Sequence, residues 1–380
     1  MTVHVLSITS SRADVGILAP VWRSILAQGM ALTVFVTGMH LEQGDQPSIA
    51  GIPDGAAIRF GGASPMGTAP LACAMAMSDI QSAAAQTIET VKPDVILVTG
   101  DRLDMFPAAA AAVPFNTPIA HLHGGEVTEG ALDDRLRHAI TKLAHVHLAS
   151  SEDARGRILA MDEEDWRIHV TGAPGLDSLR AAPILTPETF ADRTGLEDLT
   201  GLILVTVHPE TNAPTPSAPA EAALDALGAR HEPILITAPN SDPGGSDIKA
   251  MIDRFVAENK NAVYRDTLGL ELYANALRLA SIMVGNSSSG VIEAGLFGLP
   301  VIDIGARQGG RLRGGNVTSV PNDADAVASA LAAHFAAPRR HPEGTPYGDG
   351  ESGVRIATVL KSIPGTENLL LKKSGYGRAA

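Results

Sequence analysis

The chain has 380 residues, 45% of them hydrophobic and 19% charged, and its 29 basic against 42 acidic side chains give a formal net charge of −13. So acidic a balance argues against a nucleic-acid or anionic-membrane binder, which needs a basic face, and the composition is neither disordered nor fibrous. The single cysteine, Cys73, excludes an internal disulfide and any CxxC site.

At about 150 residues per domain, the length suggests two domains or three. Short apolar runs alternate with helical patterns along the chain. Strands are expected at residues 3–8, 32–36, 95–99, 118–122, 146–149 and 168–171, and again, after a break, at 202–207, 233–237, 281–284 and 300–304. Their apolar character is uninterrupted, the mark of strands covered on both faces in a parallel sheet. Helical segments between them include 79–91, 134–143, 152–161, 221–229 and 246–258. Such alternation predicts a doubly wound α/β architecture. The break at 181–200, rich in Pro, Thr and charge, reads as the joint between two Rossmann-like domains, 1–182 and 183–350. Residues 44–70 read as an irregular surface excursion and 372–380 as a frayed tail. The opening residues lack a basic n-region, and their apolar run is too short for a signal segment. No run approaches the roughly 20 apolar residues of a membrane span. A cytoplasmic protein is expected, in which the sequons at Asn286 and Asn316 carry no weight.

Ligands of open α/β sheets sit outside the carboxyl ends of the strands, so the residues just past each run are the candidates. Ser10-Ser11-Arg12-Ala13-Asp14 joins hydroxyls, a guanidinium and a helix start. That suits an anion, and equally a capped helix with Asp14 in its first turn. Gly100-Asp101-Arg102 offers an acid beside a phosphate clamp, or a loop ion pair. His121 and His123 share a face if the strand continues, which admits a metal with Glu126 as third ligand. No further ligand-spaced cluster follows, and a glycine turn presenting Glu126 is the preferred reading, with no metal. Asp133 and Arg137, like Asp134 and His138, are i,i+4 and can pair along a helix. With Asp101 and Glu126 they also gather up to four carboxylates, whose mutual repulsion separates an acid from a base. In the second half, His208 follows a strand and Asn240 the next. Gly285-Asn286-Ser287-Ser288-Ser289-Gly290 opens a helix that carries Glu293, an amide-and-hydroxyl phosphate cradle. Arg307, Arg311 and Arg313 form a basic island among glycines, suited to a pyrophosphate.

Taken together, SSRAD, VTGMHL, TGDR, the block at 123–145, VTVHPET, GNSSSGVIEA and IGARQGGR resemble the hydrolysing nucleotide-sugar 2-epimerases. The best-known class of that family is the hydrolysing UDP-N-acetylglucosamine 2-epimerase, the entry step of sialic-acid synthesis. The matches run in order from about residue 4 to 320. The resemblance implies a glycosyltransferase-B-like fold, two Rossmann-like domains facing a central cleft, with a C-terminal helix from about residue 351 crossing back to the first domain. It implies a nucleotide-sugar substrate, no cofactor and a homodimer. The implied reaction is UDP-N-acetylglucosamine plus water to N-acetylmannosamine plus UDP, through elimination to a 2-acetamidoglucal and rehydration. The same chemistry on a UDP-linked 2,4-diacetamido-trideoxyglucose, or a GDP-linked equivalent on the legionaminic-acid route, is the alternative.

By family position, Asp101, Glu126 and Asp133 are the acid/base candidates, with Glu126 and Asp133 handling protons at C2 and C3 and Asp101 close to the sugar. His208 would stabilise charge on the departing β-phosphate. Arg12, Arg102, Arg307, Ser287 and Ser288 would hold the diphosphate, and Asn240 and Glu293 would sit near the uridine or ribose. One departure is visible: where animal members carry Ser and Lys after the RAD motif, this chain has Gly16 and Ile17, which removes a phosphate cation and argues against the animal-type feedback site. Readings of other classes are a glycosyltransferase of the same fold, which needs an acceptor, and a non-catalytic nucleotide-sugar-binding protein, which would bind without turnover.

Overall fold

A computed structural model describes residues 2–41, 50–63, 69–127, 132–211, 213–240 and 242–373. The chain divides into two units, one formed by residues 1–178 with 347–380 and the other by 179–346.

The first unit runs β1 (His4–Thr9), α1 (Arg12–Ala27), β2 (Ala31–Gly38), β3 (Ala57–Ala63), α2 (Pro70–Val91), β4 (Val95–Thr99), α3 (Met105–Ala112), β5 (Ile119–Leu122), α4 (Leu132–Leu143), β6 (Val146–Ala149), α5 (Glu152–Ala160) and β7 (Ile168–Val170), followed by α6 (Gly175–Ala181) at the boundary. Its sheet is parallel throughout, in the order β3-β2-β1-β4-β5-β6-β7. The second unit runs α7 (Pro187–Thr194), β8 (Ile203–Thr206), α8 (Ala218–Leu227), β9 (Ile234–Thr237), α9 (Gly245–Glu258), β10 (Ala262–Arg265), α10 (Gly269–Leu279), β11 (Ile282–Gly285), α11 (Ser288–Ile292), β12 (Val301–Ile304), β13 (Val317–Val320) and α12 (Ala324–Ala336). Its parallel sheet has the order β10-β9-β8-β11-β12-β13. Each unit is thus doubly wound, with the chain reversing its direction of travel between β1 and β4 and between β8 and β11. Those two switch points are where such sheets bind ligands.

The expected α/β class stands, and the ten expected strands lie within two residues of their observed ends. Three strands carried no such signal. Residues 44–70, expected to be irregular, contain β3; β10 and β13 were also unmarked. All three are edge strands. An edge strand is half wet, so its sequence lacks the continuous apolar run of a central one; β3 is largely exposed, whereas β4 and β5 are buried at every position. The expected joint also holds a helix. Thr186 caps α7, Pro187 opens it, and Phe190 is fully buried. The tail at 374–380 lies outside the described residues.

In the first unit, Trp22 of α1 is fully buried and donates its indole N–H to Ser7 Oγ at 2.8 Å. A final helix, α13 (Ser352–Ser362), packs on α1. Asp177 caps it by accepting the amides of Ser352 and Gly353 at 2.9 and 2.6 Å. Gly353 is needed there because a Cβ would lie 2.9 Å from the Pro20 carbonyl oxygen. No helix among the described residues is long and apolar enough to cross a membrane.

Candidate functional site

At the switch point of the first unit, α1 begins in a capping box. Asp14 is buried and accepts the amides of Ser10 and Ser11, each at 2.8 Å, while Ser11 Oγ accepts the Asp14 amide. Asp14 is therefore the helix cap that the SSRAD pattern admitted, and Arg12 stands exposed on the first turn. Arg12 and Arg102 both act on buried His40. Burial first, and then these two guanidinium charges, hold its pKa below the ordinary histidine value against the pull of Asp14 and a backbone bond. The Arg102 Nε–H is buried without an acceptor among the described residues. A buried donor of that kind calls for an anion or water.

Past β4 and β5 the acids are organised by one side chain. Arg137 on α4 is 5% exposed and pairs with Asp101, with Asp134 Oδ1 at 2.9 Å and with the Glu126 carbonyl oxygen at 2.8 Å. The expected helical pair of Asp133 with Arg137 does not form; Arg137 turns to Asp134 and Asp101, and Asp134 also pairs with His138 at 3.4 Å. Asp133 is half-buried on the first turn of α4. The four expected carboxylates are consequently not a bare cluster, because a buried guanidinium neutralises two of them and fixes the loop of a third.

Glu126 is held from its own turn. Its Oε1 accepts from His123 Nδ1 at 2.7 Å and from Ser150 Oγ at 2.8 Å. Gly125 has φ +75°, and a Cβ there would collide with the Ala154 carbonyl oxygen, so only glycine permits this turn. His121 is fully buried, with Nδ1 against Thr141 Oγ1 and Nε2 against the Gly100 carbonyl. Burial pushes its pKa down to about 3. With both ring nitrogens engaged, His121 has none for a cation, so the His121–His123–Glu126 metal set lacks its first ligand. Among the described residues no group of three His, Cys, Asp or Glu could hold a metal ion.

The switch point of the second unit is organised by Asn286, which is fully buried. Its Oδ1 accepts the His208 amide at 2.7 Å, its Nδ2 donates to the His208 carbonyl at 2.9 Å, and its own carbonyl accepts from Arg307 Nη1 and Gln308 Nε2. His208 Nδ1 accepts the Asn240 amide at 3.0 Å, so the ring proton is on Nε2. Burial, followed by the charge of Arg307, lowers the His208 pKa to about 4. It is a neutral imidazole at neutral pH, and its Nε2–H is the donor it can offer to an anionic group.

Glu210 staples the loop after β12. Its Oε1 accepts the amides of Ala306 and Arg307 at 2.6 and 3.0 Å, and its Oε2 accepts from Asn322. A Cβ on Gly305 would collide with this carboxylate. The basic island is smaller than expected, since Arg313 is bound to buried Asp303 at 2.9 Å. Ser287 caps α11 through the Ser289 amide, and Ser288 is its first residue. Burial pushes the Glu293 carboxyl above its ordinary value, and Tyr273 beside it bonds Ser289. Asn240 donates from Nδ2 to Asp242 and Gln308 to Asn286, which orients both amides. Their oxygens are buried without a partner among the described residues.

The structure therefore brings Asp101, Glu126 and Arg137 together, and His208, Asn240 and Arg307 around Asn286. The structure also gives roles that the sequence did not assign to His123, which bonds Glu126, and to Arg137, Glu210, Asn286 and Gln308, which lock the loops. The sequence offered His123 only as a metal ligand and Arg137 only as a helical partner of Asp133; Asn286 lay within the phosphate cradle, and Glu210 and Gln308 lay within motifs without a role of their own.

Residues 25–361 match the family model described as UDP-N-acetylglucosamine 2-epimerase. The chain is 32% identical to a hydrolysing UDP-N,N'-diacetylbacillosamine 2-epimerase of Legionella pneumophila, across 98% of this chain and 99% of that protein. It is 33% identical to a UDP-N-acetylglucosamine 2-epimerase of Neisseria meningitidis serogroup B, across 60% of each. The crystal structure of UDP-GlcNAc 2-epimerase from Neisseria meningitidis bound to UDP-GlcNAc shares the fold, with a TM-score of 0.75 and 19% identity over 94% of this chain and 99% of that one. A family model matched over most of the chain, and a relative similar from end to end, mean that this protein belongs to the UDP-N-acetylglucosamine 2-epimerase family.

Proposed function

We propose that the protein is a hydrolysing nucleotide-sugar 2-epimerase, which converts a UDP-linked 2-acetamido sugar and water into the free 2-epimeric sugar and UDP. The observation that carries this is the set of acids at the ends of the adjacent strands β4 and β5, Asp101 and Glu126, tied to one buried guanidinium. The C2 proton of the sugar is weakly acidic, so its removal needs a positioned carboxylate acting as UDP leaves. Glu126 takes that proton, the C1–O bond breaks toward the diphosphate, and a 2-acetamidoglucal remains. Water then adds at C1 while C2 is protonated on the opposite face, with Asp133 as the second proton handler and Asp101 close to the sugar. The reaction balances with water alone and calls for no cofactor.

His208 donates Nε2–H to the departing β-phosphate. Arg12, Arg102, Arg307, Ser287 and Ser288 hold the diphosphate. The unpartnered oxygens of Asn240 and Gln308 suit the N–H and O–H groups of a nucleoside, and Glu293 its ribose. The end-to-end similarity to a diacetylbacillosamine epimerase supports a UDP-linked 2,4-diacetamido-trideoxy sugar as the first substrate. The shorter match to a UDP-N-acetylglucosamine enzyme supports UDP-N-acetylglucosamine, the first expectation from sequence, as the second. Purified protein is incubated in D2O with each sugar, and with a GDP-linked equivalent, and followed by NMR. The expected result is UDP, the free epimer and deuterium at C2. No nucleotide release from any N-acetylated nucleotide sugar overturns the proposal.

A further inference from the structure

The turn that presents Glu126 contains an anomaly that the catalytic assignment does not use. His123, the first residue past β5, sits at φ +64°, a left-handed conformation uncommon outside Gly, although His, like Asn and Asp, takes it more often than other side chains. A backbone held in this way is often over-determined by its side-chain bonds. Here the bond is Nδ1–H to Glu126 Oε1 at 2.7 Å, and Ser150 Oγ–H adds a second donor to the same oxygen. An ionised carboxylate oxygen can accept both, and with Glu126 in that form the imidazole proton lies on Nδ1. Nε2 is buried with no partner among the described residues.

We propose that His123 is the positioning residue of the catalytic base: with Ser150 it immobilises Oε1 of Glu126 and keeps the carboxylate ionised. The inference rests on Glu126 acting as the base, as proposed above. Other charged and titratable groups surround this pair. Arg137 of α4 binds the Glu126 carbonyl and pairs with Asp101 and Asp134. Arg157 of α5 donates to the Gly125 carbonyl and pairs with Asp153. His121 of β5 and His147 of β6 lie behind, both with pKa values lowered first by burial.

Two substitutions separate positioning from a merely structural role. His123→Gly removes the donor while suiting the left-handed backbone. His123→Asn also tolerates that backbone and places an Nδ2–H donor where Nδ1–H stood. For His123→Gly the expected result is kcat lowered roughly 10- to 100-fold with little change in KM, and the acid limb of kcat/KM raised by about one pH unit. His123→Asn should restore both. The Glu126 carboxyl titration, read by 13C NMR on the unliganded protein, should rise in His123→Gly by the same amount. An unmoved Glu126 titration in His123→Gly, or His123→Asn as impaired as His123→Gly, overturns the proposal. If no nucleotide sugar is turned over but the titration moves as stated, the contact stands and the epimerase assignment falls.

Discussion

The two units are built on the same doubly wound plan, yet their switch points hold opposite chemistry. In the first, acids past β4 and β5 gather around one buried cation, Arg137. In the second, acids are turned inward as fasteners. Glu210 binds the amides of Ala306 and Arg307, and Asp303 neutralises Arg313. What the second unit presents is neutral His208, oriented amides and the Arg307 guanidinium. A shared backbone topology thus decides where a site can be, and the side chains that lock each loop decide its charge.

The sharpest way to test this contrast is to remove the base. Glu126→Gln should lower kcat on the order of 10³-fold, while calorimetric affinity for UDP stays within about threefold because it draws on the other set of residues. Equal loss of both would erase the distinction. Next is acid sensitivity. His121 and His145 are neutral in the fold, with pKa values near 3 and 4, whereas Glu163 is ionised down to about 2: burial alone would raise it, but bonds from His147, Lys142 and Lys372 outweigh that effect. The unfolded chain protonates such histidines below about 6.5 and such a carboxylate below about 4.3, so both kinds of group withdraw stability as pH falls. His121 alone should account for roughly 3 kcal/mol by pH 4. Both tryptophans, Trp22 and Trp166, belong to the first unit, so denaturant titrations followed by their fluorescence read that unit. His121→Gln should flatten the dependence between pH 6.5 and 4.

Asn286→Ala should affect the second unit selectively. Without its two bonds to His208 and with a looser anchor for Arg307, stability falls by about 1–3 kcal/mol. UDP affinity should drop roughly tenfold, with the Glu126 titration unmoved. The smallest effect is expected from Asp303→Asn combined with Arg313→Gln. This pair replaces a buried ion pair by neutral partners of similar shape, a change that is often close to neutral, and UDP affinity should stay within about twofold. A large loss would restore Arg313 to the set that meets the ligand.

Central strands were legible because burial on both faces writes a continuous apolar run; β3, β10 and β13 were not, because an edge needs no such run. The motif residues were legible because they follow strands. The fastening roles of Glu210 and Gln308 were not, because nothing in their local spacing distinguishes a staple from a solvated side chain, and the spacing of His123 from His121 pointed to a metal rather than to Glu126. Even where spacing offered a pair, as for Asp133 and Arg137, Arg137 chose Asp134 nearby and Asp101 from a loop 36 residues away.

By itself the sequence determined the α/β class, the ends of the central strands, the turns that only glycine permits and the family. These depend on local periodicity, backbone sterics and ordered motifs. Only the tertiary structure decided which partners each acid takes, that His208 is neutral and that Arg313 is spent on Asp303. Such outcomes depend on burial and on partners remote in the chain. Net charge and helical spacing carry no information about either.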